Sequence, residues 1–337
     1  MNSKISMQDI ADMLGISKNA VSLALNNKPG VSEDLRFRIF EAANQLNYRT
    51  DTKAKKKRGN LLVLIPENIR NDKIFYYEVF WSIEKRAKEI GYNAIICGVT
   101  QEMEDQLILP ELYHEIEFQG ILLVGVLPLN YVRMLFDLGI PLVTVDHYYD
   151  SLQLDAVVTA NAEEAYKIVN HLIDKGHRQI GFIGAISKSK SFKERWSGYQ
   201  NALSDAGLAI DTNHSIVNPS SLEALNSTPS ELAAHLDAMT SLPSAWFCAD
   251  DRIAISFIQI LISKGHKVPE DFSVVGFGDI EAAQMIAPRL TTIQVQREQL
   301  GYEAVDFLVR RIDVSGSPAK ISIYGKLIER DSCRALG

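Results

Sequence analysis

The chain has 337 residues, 46% hydrophobic, 23% charged and 8% aromatic, enough length for two or three domains and enough apolar character for a core, which excludes a disordered chain. Its net charge of −7 hides a division: residues 1–60 hold 11 Lys and Arg against 6 Asp and Glu, which leaves 24 against 36 for the remainder. A basic head on an acidic body points to a polyanion partner for the head alone, because an evenly acidic protein is repelled by phosphates.

In chain order, Ser6 caps a first helix whose apolar positions Met7, Ile10, Ala11 and Leu14 follow helical spacing, with Asp9 three residues after the cap and Gly15 at its end. After a tight Gly15-Ile16 turn, Ser17 caps a second helix. Its Ala20, Val21, Ala24 and Leu25 share one face, while Lys18, Asn19, Ser22 and Asn26 form an uncommonly polar outer face. Pro29-Gly30 breaks the chain, and Ser32 caps a third helix built on Leu35, Ile39, Ala42, Ala43 and Leu46. Three short helices with a glycine turn between the first two make an all-α helix-turn-helix headpiece over residues 1–48. A basic linker, 49–60, follows with Lys53, Lys55, Lys56, Lys57 and Arg58.

From residue 61 onward short apolar runs alternate with amphipathic stretches. The runs LLVLIP (61–66), NAIIC (93–97), GILLVGV (120–126), PLVTVD (141–146), QIGFIG (179–184), AWFCAD (245–250) and SVVGF (273–277) read as buried strands. Helical patterns lie at 78–90, 162–175, 194–206, 250–264 and 300–314. Such alternation predicts parallel sheets covered by helices on both faces, and the length predicts two lobes.

The headpiece segments D-I-A-x-x-x-G-I-S, A-V-S-x-A-L-N, V-S-x-x-L-R and A-x-x-L-N-Y, together with LIDKGHRQIGFIG, KVPEDFSVVGFGD and APRLTTIQVQREQLGYEAV in the body, resemble the LacI/GalR family of bacterial transcription regulators across nearly the whole chain. The resemblance implies a periplasmic-binding-protein-like, two-lobed effector domain over 61–337, with crossings near Thr159, Thr292 and Val314. Lobe 1 then takes about 61–158 and 293–314, and lobe 2 about 159–292 and 315–337. It also implies that Lys18, Asn19 and Leu23 meet base edges. Lysine suits guanine and asparagine suits adenine, whereas Leu23 offers only an apolar contact, for example to a thymine methyl. Ser6, Ser17, Ser22, Asn26 and the linker lysines suit phosphates. In the linker, Thr50 and Asp51 stand where relatives carry Pro-Asn, and Lys57 stands where they carry a wedging leucine.

Ligands of open α/β sheets bind beyond the carboxyl ends of strands, which singles out Phe75, Tyr76, Asp146, His147, Asp251 and Asp279. Arg195 joins them by its match to an effector-gripping arginine of the family. Carboxylates, a guanidinium and aromatic faces suit a carbohydrate or derivative, with a purine or other polar metabolite as the alternative. Gly278 replaces an aspartate that many relatives have, and NDKIFYYE replaces an N-P-F-F-like stretch, both at ligand positions. Gly176, His177 and Arg178 read as a helix stop rather than a catalytic pair.

No G-x-S-x-G elbow, Walker A loop, dinucleotide fingerprint or H-E-x-x-H pair occurs, so neither catalysis nor a cofactor is expected. Cys97, Cys248 and Cys333 form no C-x-x-C pair and read as reduced thiols without metal. No apolar run reaches the roughly 20 residues of a membrane span. Asp9 and Asp12 interrupt the place of a secretory signal, so a cytoplasmic protein is expected. The reading is a homodimeric regulator, a repressor on a near-palindromic double-stranded DNA operator, controlled by a small-molecule effector. A stand-alone binding protein or a sugar-processing enzyme on the same body fold is the alternative, and neither needs the basic head.

Overall fold

A computed structural model of the chain describes residues 5–25, 28–46, 48, 59–69, 75–210, 212–217 and 229–336. The chain divides into two compact units, Met1–Arg58 and Gly59–Gly337. Asn26 and Lys53, Lys55, Lys56 and Lys57 lie outside the described residues.

The first unit holds helices α1 (Met7–Leu14), α2 (Lys18–Leu25) and α3 (Glu33–Gln45). At the start of α1 the Asp9 carboxylate accepts from the Ser6 backbone N–H at 2.6 Å and the Ser6 hydroxyl at 2.8 Å. Those bonds hold Asp9 below the usual carboxylate range. Gly15, left-handed at φ 63°, ends the helix. The Ser17 hydroxyl oxygen accepts from the Ala20 N–H at 3.1 Å, and that of Ser32 from Leu35 at 3.4 Å. The three helices close over Ile10, Ala11, Val21, Ala24, Ile39 and Ala42, the positions their spacing predicts. One contact was not legible in the pattern: Arg36 donates to the carbonyls of Ala24 and Lys28 at 2.9 and 2.8 Å, fastening the end of α2 to α3.

The second unit contains two six-stranded sheets. The first has the order β11-β5-β4-β3-β1-β2, built from β1 (Gly59–Pro66), β2 (Tyr92–Val99), β3 (Gly120–Val124), β4 (Leu142–Val145), β5 (Asp155–Thr159) and β11 (Lys320–Ile323). The second runs β12-β10-β9-β8-β6-β7 through β6 (Ile180–Ile183), β7 (Ser215–Ile216), β8 (Ala245–Cys248), β9 (Ser273–Gly278), β10 (Thr291–Gln294) and β12 (Lys326–Ile328). All pairings are parallel except β10 with β12. Side chains alternate across a strand. Leu61, Val63 and Ile65 therefore pack with the helix Tyr76–Ile90, while Leu62 and Leu64 pack on the opposite face with Tyr131, Val132 and Leu135.

Of the three crossings between the lobes, the first falls where expected and the other two are displaced. The first follows Thr159, at Ala160. The second comes after β10, at Val295–Gln296, because Thr292 lies inside a second-lobe strand. The third falls at Tyr324–Gly325 rather than near Val314, since β11 belongs to the first sheet. Asp155 explains that shift. Its carboxylate takes a two-pronged ion pair from Arg311 at 2.7 and 2.9 Å and the Ala319 N–H at 2.8 Å, so the chain is held along the first sheet before it crosses.

His177 is buried, with ring nitrogens 2.9 Å from the Ser244 hydroxyl and 3.0 Å from that of Ser273, and Arg178 donates to the Ile173 carbonyl at the end of the preceding helix. This is the helix stop the sequence implied.

Candidate functional site

In the first unit the N-terminal turn of α2 presents Lys18 and Asn19, both exposed, next to the capping Ser17. Leu23 is half-buried and packs toward Gly30, and Ser22 is half-buried. Lys18 and Asn19 thus stand at the N-terminal end of a helix whose C-terminal end, near Leu23, is fixed by Arg36.

In the second unit, Arg195 lies on the second-lobe helix Lys190–Asp205, which starts at the Ser189 cap. Its guanidinium is buried against the Phe277 ring, 3.8 Å from the centroid. Nε donates to the Asn161 side-chain carbonyl at 2.9 Å and Nη1 to the Ala249 carbonyl at 2.7 Å. Burial pulls Arg195 down to about 10, against the attraction of Asp250, Asp146 and Asp251. Across the cleft Asp146 sits in the left-handed region at φ 64° and accepts from the Tyr76 hydroxyl at 3.1 Å. Burial pushes its carboxyl up to about 6, even though Arg195 and Arg297 both favour its charged form. Phe75 meets Tyr76 edge-on, 5.0 Å between ring centroids. Phe75, Tyr76, Asp146 and Arg195 therefore gather as expected.

Three candidates are placed otherwise. Asp251, 1% exposed, accepts from the Thr292 hydroxyl at 2.6 Å and the Ile280 N–H at 2.9 Å, so both oxygens anchor strand ends instead of facing a ligand. Asp279 is taken by Arg330 at 2.6 Å and the Gln294 amide at 3.0 Å. His147 packs edge-on against Tyr149 at 4.8 Å. Its pKa falls to about 4 through burial and then the Lys190 charge, and it makes no hydrogen bond to Asp146 or Arg195.

Residues that were not among the sequence's site candidates complete the cleft. Asn161 orients Arg195 and donates to Glu194 at 2.9 Å, and Glu194 accepts from the Tyr148 hydroxyl of the other lobe at 2.7 Å. The Tyr148 ring has the Lys190 ammonium 3.5 Å from its centroid and the Lys320 ammonium at 4.0 Å. Beside them is a 420 Å³ pocket that includes Asn161 and Ser322. Arg297, at the second crossing, donates to the Gly278 carbonyl and borders a 1160 Å³ cavity with Glu78, Gln294 and Gln296. Had the short β-branched run TTIQ been read as a strand, the rule of strand ends would have found Arg297.

Among the described residues no cluster of His, Cys, Asp and Glu could hold a metal ion, and no helix is long and apolar enough to cross a membrane.

Residues 6–51 match the family profile described as bacterial regulatory proteins, lacI family, and residues 169–333 match the periplasmic binding protein-like domain. A relative named HTH-type transcriptional repressor PurR, from Actinobacillus pleuropneumoniae serotype 3 (strain JL03), is 29% identical over 98% of this chain and 99% of its own length. The chain thus carries a lacI-family headpiece and a periplasmic-binding-protein-like domain. A second relative of the same name, from Haemophilus influenzae (strain PittEE), is also 29% identical, over 98% of this chain and 99% of its own. Among solved structures, the transcriptional regulator CelR–cellobiose complex superposes with a TM-score of 0.70 at 23% identity, covering 97% of this chain and 99% of that one. The lac repressor dimer bound to operator and the anti-inducer ONPF does so with 0.68 at 19%, covering 99% and 100%. Both likenesses carry the fold.

Proposed function

We propose that this chain is a lacI-family, sequence-specific DNA-binding repressor whose operator affinity is set by a small effector held between the lobes of its second unit. The observation that carries this reading is the exposed Lys18–Asn19 pair, raised on a helix capped by Ser17 and fixed by Arg36, on the same chain as a cleft with a buried arginine. The body binds its ligand without converting it, and a regulator of this kind works as a homodimer in the cytoplasm, one headpiece per half-site of a near-palindromic operator. The relatives are named transcriptional repressors. Similar solved structures include one with cellobiose and one from Enterococcus faecium with ribose, the latter with a TM-score of 0.67 at 22% identity, covering 82% of this chain and 100% of that one. They favour a carbohydrate or derivative here.

Duplexes selected from a random pool test the reading. The selected site should be near-palindromic, and Lys18→Ala or Asn19→Ala should cost about 1 to 3 kcal/mol on it while relaxing base preference. Equal weakening on specific and random duplexes would show that α2 does not read bases. Replacing Lys55, Lys56 and Lys57 by Ala should weaken all duplexes alike and flatten the salt slope by up to about 0.9 for each phosphate no longer neutralised. An unchanged slope would exclude the linker from phosphate binding.

A further inference from the structure

Arg297 is only 6% exposed. Nη2 donates to the Gly278 carbonyl, and Nη1 stands 3.5 Å from the carboxylate of Glu78, a side chain 56% exposed. The guanidinium carbon lies 5.5 Å from the Phe75 ring centroid. The buried Nε donates to nothing among the described residues. A guanidinium removed from water with an unmet donor is costly unless an acceptor arrives.

The carboxylates around it do not supply that acceptor. Asp279 is held by Arg330 and Gln294, and Asp251 by Thr292 and the Ile280 N–H. Asp250 caps the helix Asp251–Ser263 through the Ile253 N–H at 2.8 Å. Glu194 is engaged by Tyr148 and Asn161. Asp146 lies within the electrostatic reach of both Arg195 and Arg297, yet its hydrogen bond goes to Tyr76. Asp146 thus feels two buried guanidiniums, Arg195 and Arg297, while Asp250, Asp251, Asp279 and Glu194 are engaged elsewhere.

We propose that the effector carries an acidic group, a carboxylate or phosphate on a polyol, received by Arg297 and Arg195 together. A planar guanidinium whose Nε has no acceptor matches such a group in geometry as well as charge, whereas a neutral sugar offers that donor only an uncharged acceptor. The inference rests on the second unit being an effector receptor.

The test uses the full chain and matched probes: gluconate, glucuronate, glucose 6-phosphate and ribose 5-phosphate against glucose and ribose, read by calorimetry and by affinity for the selected duplex. At least one acidic probe should bind about tenfold or more tightly than its neutral parent. Arg297→Gln should erase that preference, and Arg297→Lys should retain part of it. Equal affinity for acidic and neutral partners, an Arg297→Gln variant that keeps the preference, or no binding by any acidic probe would overturn the proposal. A neutral sugar that shifts duplex affinity would overturn the acidic-group claim while leaving the receptor reading in place. If no probe binds and none shifts duplex affinity, both fall.

Discussion

Arg36 and Asp251 show how a single charge can be committed to architecture. The Arg36 guanidinium satisfies the carbonyls of Ala24 and Lys28, groups that a helix end otherwise leaves open. Arg36→Ala should destabilise the head by about 1 to 3 kcal/mol and weaken specific and random duplexes together. A shift in base preference instead would place Arg36 on the bases. For Asp251, burial lifts the carboxyl from 3.8 to about 6, helped by Asp250 and Asp279 and opposed by the Thr292 and Ile280 bonds. The fold then binds this proton more tightly than the unfolded chain does. Ionisation costs the fold about 3 kcal/mol above pH 6, and that cost fades as pH falls from 6 towards 4. The stability of the wild type relative to Asp251→Asn should therefore rise between pH 7 and 4.5, and a constant gap in melting temperature would contradict it. The sequence named Asp251 and Asp279 as well as Asp146 because all follow strand ends. It could not say which carboxylates would be consumed by neighbours 15 to 51 positions away.

At the scale of elements, the long buried strands and amphipathic helices were legible because their apolar patterns are continuous. β5, β7, β10, β11 and β12 were not: DAVVT, SI, TTIQ, KISI and KLI are short, and the last two are edge strands with half-exposed patterns. The absence of the last three from the reading displaced two crossings and concealed Arg297. Close helix packing was equally invisible. The helices Asn161–Asp174 and Lys190–Asp205 approach so nearly that a Cβ on Gly198 would lie 2.0 Å from the Ala162 carbonyl oxygen. Gly198→Ala should cost about 1 to 3 kcal/mol. It should also weaken effector binding, because Ala162 adjoins the Asn161 that orients Arg195. Calorimetry with unchanged effector affinity would separate the helix packing from the site.

At the scale of the whole molecule, ligand and operator must be coupled reciprocally: an effector that releases DNA binds more weakly in the presence of operator, by the same factor. Unequal factors in the two titrations would reveal an additional bound species. The interleaved sheets carry a different consequence, for the order in which the protein is made. The second lobe has five of its six strands once Gln294 has been synthesised. The first lobe begins earlier, but it must wait for the helix Arg297–Asp313, which buries Leu300, Ala304, Val305 and Leu308, and then for β11. On the ribosome, where chains grow at about 5–20 residues per second, the lobe that starts first finishes last. In a nascent chain arrested after residue 294 has emerged, protease should spare the β6–β10 sheet and cut within β1–β5.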